Sequence, residues 1–283
     1  MKKLHSALII TAIIAFTSCA KEYSLENGGS NPNIIGPDCR MSMIGYSDST
    51  SGIGTGSVAA VINSGDSLTS VMDYDSISNS INFFSTPVYV NDTVYIDADE
   101  YFVQTGTSNL VTKLHGLLDP TNPSSPAIDI NYTYDAGGYL VKKQYSFSAF
   151  PGVPYEQVDY NYSGGNMTGM THTNLITGDL VTDAVVTYTR LTPRNYIYVF
   201  PDELTYQYFT QFLNFGTKNT NAVSSITVNT YDPGNVITNT SLSIFSKYIL
   251  SVDNYVLSCV MGGSDQPAIP AVTGKLSFSY HCK

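Results

Sequence analysis

From Cys39 to the end of the chain, apolar and polar positions alternate with period two in short runs bounded by Gly, Asn, Asp and Pro. Period two sends successive side chains to opposite faces of an extended chain, so each run predicts a half-buried antiparallel strand. The runs are Ser57–Asn63, Ser67–Tyr74, Ser80–Val90, Thr93–Val103, Leu110–Leu117, Ile128–Tyr134, Tyr139–Ser148, Tyr155–Tyr162, Asn166–Thr173, Asp183–Arg190, Asn195–Phe200, Ala222–Tyr231, Val236–Leu250, Tyr255–Met261 and Lys275–His281. One stretch departs from the pattern. After Pro201-Asp202-Glu203, the residues Leu204, Tyr208, Phe212 and Phe215 recur at helical spacing and Gly216 follows as a C-cap, which predicts a short helix near 202–214. No alternation of strands with crossover helices appears, which argues against a Rossmann-like fold or a barrel with crossover helices. The expectation is an all-β fold, a single large antiparallel meander over 39–283, either a strongly curved open sheet or a partly closed barrel.

The first residues read differently. Lys2 and Lys3 precede an apolar run from Leu4 to Phe16, and Thr17-Ser18-Cys19 follow at once. A basic start, a short apolar stretch and small residues before a cleavage point describe a signal peptide over 1–18, too short to span a bilayer as a permanent helix. Residues 20–38, with Gly28-Gly29-Ser30-Asn31-Pro32 and Gly36-Pro37, carry little apolar periodicity and read as a flexible tether.

Turn chemistry is more specific than the strands. Tyr132-Thr133-Tyr134-Asp135-Ala136-Gly137-Gly138-Tyr139-Leu140 places two tyrosines on one strand face, then an Asp suited to an Asx-turn and glycines free to take positive φ. A variant follows as Tyr160-Asn161-Tyr162-Ser163-Gly164-Gly165. If the hairpins are in register, Tyr132, Tyr134, Tyr160 and Tyr162 form a ridge, a candidate ligand-binding face, although half-wet sheet surfaces use tyrosine equally well.

Phe16-Thr17-Ser18-Cys19 resembles a bacterial lipobox, which implies that Cys19 is the lipidated first residue of the mature protein; Phe16 replaces the usual Leu. The first hairpin resembles the tyrosine-aspartate repeat. With the Cys39-Arg40-Met41 start and Leu213-Asn214-Phe215-Gly216, the chain resembles Bacteroidota-type lipoproteins of unknown function, a likeness covering most of 39–283 through short, turn-driven motifs. It implies a long curved sheet and no assigned activity. Asp48-Ser49-Thr50, Asp66-Ser67-Leu68, Asp75-Ser76-Ile77 and Asp92-Thr93-Val94 resemble O-glycosylation sites of such exported proteins, making Ser49, Ser67, Ser76 and Thr93 candidates.

Charge and chemistry narrow the field. Thirteen basic against 23 acidic residues leave a net charge of −10, which disfavours a nucleic-acid partner. Beyond Cys19 three cysteines remain. Joining Cys39 to Cys282 would staple the ends of the domain; Cys259 with Cys282 is an alternative that a hairpin around Gly262–Thr273 puts out of register, since Cys259 then faces about Leu276; unpaired thiols are the third reading. His115, His172 and His281 stand isolated, without a zinc-ligand spacing, so no metal and no cofactor is expected. Asp73-Tyr74-Asp75 and Asp97-Ala98-Asp99-Glu100 read as solvated strand ends, with a calcium pair at Asp97 and Asp99 as the alternative. The absence of tryptophan and the few glutamates leave little for glycoside hydrolysis.

The expectation is therefore a lipid-anchored outer-membrane protein, at the cell surface or the periplasmic face. Its partners would be the membrane, through the anchor, and a glycan or protein ligand. It would act as a non-enzymatic binding or structural module, against the alternative of a hydrolase with a dispersed His/Ser/Asp or carboxylate site.

Overall fold

The structure, a computed structural model, describes residues 39–48, 54–62, 68–75, 80–97, 99–106, 108–119, 122, 124–194, 197–201, 209, 211–264 and 274–282. Seventeen strands form one sheet. In chain order they are β1 (Cys39–Asp48), β2 (Gly54–Ile62), β3 (Leu68–Asp75), β4 (Ser80–Ser85), β5 (Val88–Val90), β6 (Thr93–Tyr95), β7 (Tyr101–Gln104), β8 (Val111–Leu117), β9 (Ala127–Tyr134), β10 (Leu140–Phe147), β11 (Pro154–Ser163), β12 (Asn166–Asn174), β13 (Leu180–Tyr188), β14 (Val223–Asp232), β15 (Val236–Leu250), β16 (Val256–Ser264) and β17 (Gly274–Cys282). Neighbours in sequence pair antiparallel, as in the ladders Lys113↔Asn131 and Lys143↔Tyr132, and β17 returns to pair with β1 from Cys39↔Cys282 to Asp48↔Gly274.

The meander would be a closed ring but for one seam. Ser80–Val90, expected as one strand, serves as two: β4 pairs with β3 through Asp73↔Phe83, and β5 pairs with β6 through Val88↔Tyr95. Pro87, which has no N–H to give to a ladder, stands between them. Among the described residues no ladder joins β4 to β5, so the sheet is not closed into a barrel. The Leu68 N–H donates to Tyr89 Oη at 3.0 Å, a side-chain bridge from β3 across the seam to β5.

Alternation sorts the strands into two faces. Phe102, Leu114, Ile130, Tyr132, Val158 and Met170 turn inward and are buried. The outer face carries Lys113, His115, Asp129, Gln144, Gln157, Asp159 and Asp183; Gln144 Nε2 donates to Gln157 Oε1 at 2.9 Å and Asn229 Nδ2 to Asp183 Oδ1 at 2.7 Å across strands, and Gln157 Nε2 to Asp159 Oδ2 at 2.7 Å along β11.

What fills the inner face is the long connection between β13 and β14. Tyr198, Phe209, Phe212, Leu213 and Phe215 are buried there. Phe215 meets Phe102, Tyr132, Tyr198 and Phe200 with ring centroids 5.3–6.1 Å apart, and Phe209 meets Phe83 and Phe102 at 5.7 and 5.8 Å. Two expectations are revised in this segment. Asn195–Phe200 forms no ladder strand among its described residues; Ile197, Tyr198 and Val199 are all buried, so their apolar character reflects enclosure rather than a pleat. Of the helix near 202–214, residues 202–208 and 210 lie outside the described residues, and what is described is one turn, where Phe209 O accepts from Leu213 N at 2.9 Å. The signal peptide, Cys19 and the tether also lie outside the described residues.

Candidate functional site

The tyrosine-glycine hairpins are more specific in sequence than the strands, and their turns form as their residues dictate. Asp135 Oδ1 accepts from the N–H groups of Gly137 and Tyr139, each at 2.9 Å, while Gly138 takes φ +77°. In the second hairpin Gly164 and Gly165 take φ +58° and +79°. Both turns receive the returning connection. Thr217 N donates to Gly138 O at 2.8 Å, Thr220 N to Gly165 O at 3.0 Å, and Met167 N to Asn219 Oδ1 at 2.7 Å. A Cβ on Gly216 would run into Gly138 O, so glycine is required where the connection crosses the first turn.

The ridge expected from Tyr132, Tyr134, Tyr160 and Tyr162 is not an exposed binding face. Tyr132 and Tyr160 are 7% and 4% exposed, and Tyr134 and Tyr162 pack partly buried against the core. Alternation had put the rings on one side of their strands. That side is the inner one, because Tyr132 and Tyr160 share parity with Ile130 and Val158. The hydroxyls then need partners, and backbone carbonyls supply them. Tyr134 donates to Val111 O at 2.6 Å, Tyr188 to Met167 O at 2.7 Å, Tyr248 to Val223 O at 2.6 Å and Tyr280 to Val256 O at 2.7 Å.

Three cations accompany these rings. Lys143 is fully buried, its Nζ 5.9, 5.6 and 5.0 Å from the ring centroids of Tyr132, Tyr160 and Phe200, a cation–π environment on three sides. Its parity with Tyr145 and Phe147 was the available signal in the sequence. Lys218 Nζ lies 4.8 Å from the Tyr198 ring, and desolvation, assisted by the Arg40 guanidinium, lowers it to about 8. Arg40 Nη2 donates to Phe212 O at 2.8 Å, fastening the connection to β1.

The histidines form two separate pairs with carboxylates. His115 Nδ1 lies 2.7 Å from Asp129 Oδ1, Lys113 Nζ lies 3.0 Å from Asp129 Oδ2, and the Tyr101 ring stacks on the imidazole at 4.9 Å. Direct cross-strand register builds this outer-face group, since Tyr101 faces His115 and His115 faces Asp129. Burial raises the Asp129 pKa, but hydrogen bonds from His115 and Lys113 outweigh it and hold the carboxyl below its ordinary value. Ser148 Oγ is 3.3 Å from the same Nδ1 that Asp129 occupies. A nucleophilic triad needs the serine and the acid on opposite ring nitrogens, so this set is not arranged as one. On the inner face His172 Nε2 meets Glu156 Oε2 at 3.1 Å, with Tyr145 stacked at 6.0 Å.

No protein-family model matches the chain, and no curated protein matches it. Solved structures do. The chain is similar to a porin-like protein from Bacteroides uniformis ATCC 8492 with a TM-score of 0.59 at 10% identity, over 88% of this chain and 99% of that one. A porin-like protein from Bacteroides vulgatus ATCC 8482 gives a TM-score of 0.51 at 10% identity, over 87% and 100%. At such identities the likeness concerns the fold.

Cys39 and Cys282 face each other in register and are joined by a disulfide, with their Cα atoms 4.1 Å apart. Cys259 faces Leu276, is buried, and its thiol is pushed up to about 12 by desolvation. Thr93, half-buried, opens β6 after the Asn91-Asp92 turn. Ser49, Ser67 and Ser76 lie outside the described residues, as does Cys19.

Proposed function

We propose that the protein is a lipid-anchored envelope module without catalytic activity, held to the outer membrane through Cys19 and engaging a glycan or protein ligand with its surface. The observation that carries this reading is the occupied inner face. The place where a curved sheet would enclose a substrate is filled by the chain's own connection, and the histidine–carboxylate pairs are spread over different faces and strands.

The porin-like neighbours support an envelope setting. A pore in the membrane is a poorer fit, because a lipid-facing barrel turns its apolar band outward and its polar groups to the lumen. Here Phe102, Leu114 and Ile130 point inward while His115, Asp129, Gln157 and Asp183 point outward, so lipid attachment through an acyl anchor accounts for membrane association better than embedded strands. The acidic net charge supports a partner other than nucleic acid.

Two measurements test the reading. Acyl labelling of the natively expressed protein should be lost in Cys19→Ala, with release from the membrane fraction. Panels of ester and glycoside substrates should show no turnover; turnover abolished by His115→Gln or His172→Gln would overturn the non-catalytic assignment.

A further inference from the structure

The meander has two unlike ends. β1 starts at the end where β17 finishes, which puts Cys39, Cys282 and the long connection 189–222 together at one end. At the other end lie the described hairpin residues 96–97, 99–100, 118–119, 124–126, 148–153, 175–179 and 233–235. Four successive hairpins, β8–β9, β10–β11, β12–β13 and β14–β15, carry large apolar side chains at this far end: Leu118, Phe150, Ile176 and Val236, with exposures of 47%, 66%, 76% and 61%. Neighbouring hairpin tips stand two strands, about 10 Å, apart, so the apolar row extends roughly 30 Å.

The far end is also predominantly acidic. Among the described far-end residues, Asp97, Asp99, Glu100, Asp119 and Asp179 lie in the connections and Asp48, Asp75 and Asp232 close strands, with Lys275, second in β17, as a cation beside them. The end of the termini is mixed in charge, with Arg40, Arg190, Arg194 and Lys218 alongside Asp92, Asp135 and Asp253. An apolar row set among carboxylates is repelled by an anionic bilayer and by a second copy of itself, and is complementary to a protein face that combines apolar pockets with lysine or arginine.

We propose that this far-end rim is the docking surface for a partner protein presenting a basic, apolar face. The proposal rests on the reading of the protein as a binding module and specifies where and with what chemistry it binds. Because the tether joins the domain at the opposite end, an anchored protein would present the rim away from its own membrane.

The test uses the full exported chain carrying Cys19→Ala, so that no acyl group competes, and a fluorescent peptide of alternating leucine and lysine as the probe. Binding by anisotropy should weaken at least fivefold in Phe150→Ser/Ile176→Ser and in Asp119→Asn/Asp179→Asn, and a leucine–glutamate peptide should not bind. The four side chains lie at hairpin tips, so unchanged melting temperatures would show that folding is retained. Equal affinity in the variants and the parent, or no binding of the leucine–lysine peptide, overturns the rim. So does rim-dependent binding to phosphatidylcholine–phosphatidylglycerol vesicles without peptide binding, or a rim-dependent dimer in sedimentation. Each of these leaves the non-catalytic reading to its own turnover assay.

Discussion

The hydroxyl of Tyr134, the last residue of β9, donates to the carbonyl of Val111, the first residue of β8, at 2.6 Å. The same tie recurs from β13 to β12 at Tyr188–Met167, from β15 to β14 at Tyr248–Val223 and from β17 to β16 at Tyr280–Val256. Each clamps the end of a strand to the start of the strand before it, on the side of the termini. The chain thus contains a structural repeat that hairpins of unequal length conceal. Burial raises the pKa values of Tyr134, Tyr188 and Tyr280, as befits hydroxyls kept as donors.

Removing one such hydroxyl with Tyr134→Phe, Tyr188→Phe or Tyr280→Phe should cost about 1 kcal/mol in urea unfolding. The three hydroxyls have separate acceptors, so the costs of Tyr280→Phe and either of the other two should add, while Tyr134 and Tyr188 both lie near Tyr162 and can couple. A triple variant as stable as the parent would deprive the clamps of any role in stability.

Cys39 and Cys282 close almost the whole domain into one loop, with a sequence separation of 243. By the chain-entropy relation, replacing both with serine should cost roughly 5 kcal/mol. Unfolding of the Cys39→Ser/Cys282→Ser chain against the oxidised parent checks this. Cys259, buried and shifted upward, should resist alkylation until the chain unfolds.

Asp129 supplies a pH dependence of known sign. Its folded pKa lies below the ordinary 3.8, so the folded state holds its proton less tightly, and the stabilisation present above that value is lost as pH falls through the folded pKa. Asp129→Asn should flatten the fall in stability below about pH 4 relative to the parent. An unchanged acid limb would mean that the His115–Asp129–Lys113 group contributes nothing to it.

Lys218 works in the opposite direction. Its ordinary value is 10.5 and the folded chain lowers it to about 8, so folding disfavours the charged form and the parent gains stability as pH rises between those values. Lys218→Met should therefore be stabilised relative to the parent at pH 7, with the gap narrowing by pH 10. A gap that is constant across this range would contradict the shift.

Much of the fold was legible because hairpin registers follow from turn residues and parity. The Val256–Met261 and Lys275–His281 runs placed Cys259 opposite Leu276, where the structure has it. The destination of the tyrosines was not legible, since alternation says which side chains share a face but a half-polar ring does not say which face is enclosed. Ser80–Val90 reads as one strand because its apolar character is continuous, and Pro87 was the local clue that its halves pair with different neighbours. The burial of Lys143 and the grouping of Tyr101, His115 and Asp129 depend on cross-strand register over three strands, which residue types alone leave open.

The central claim is that the inner face is a packed core built around the chain's own connection rather than a ligand site. Native-state hydrogen exchange measures it most directly. The account predicts that the amides of Phe212, Leu213 and Phe215 exchange only as slowly as those of Val158 and Met170 in the sheet, in one cooperative unit. Fast, independent exchange of the connection while the sheet stays protected would mean that the inner face opens, and would contradict the account.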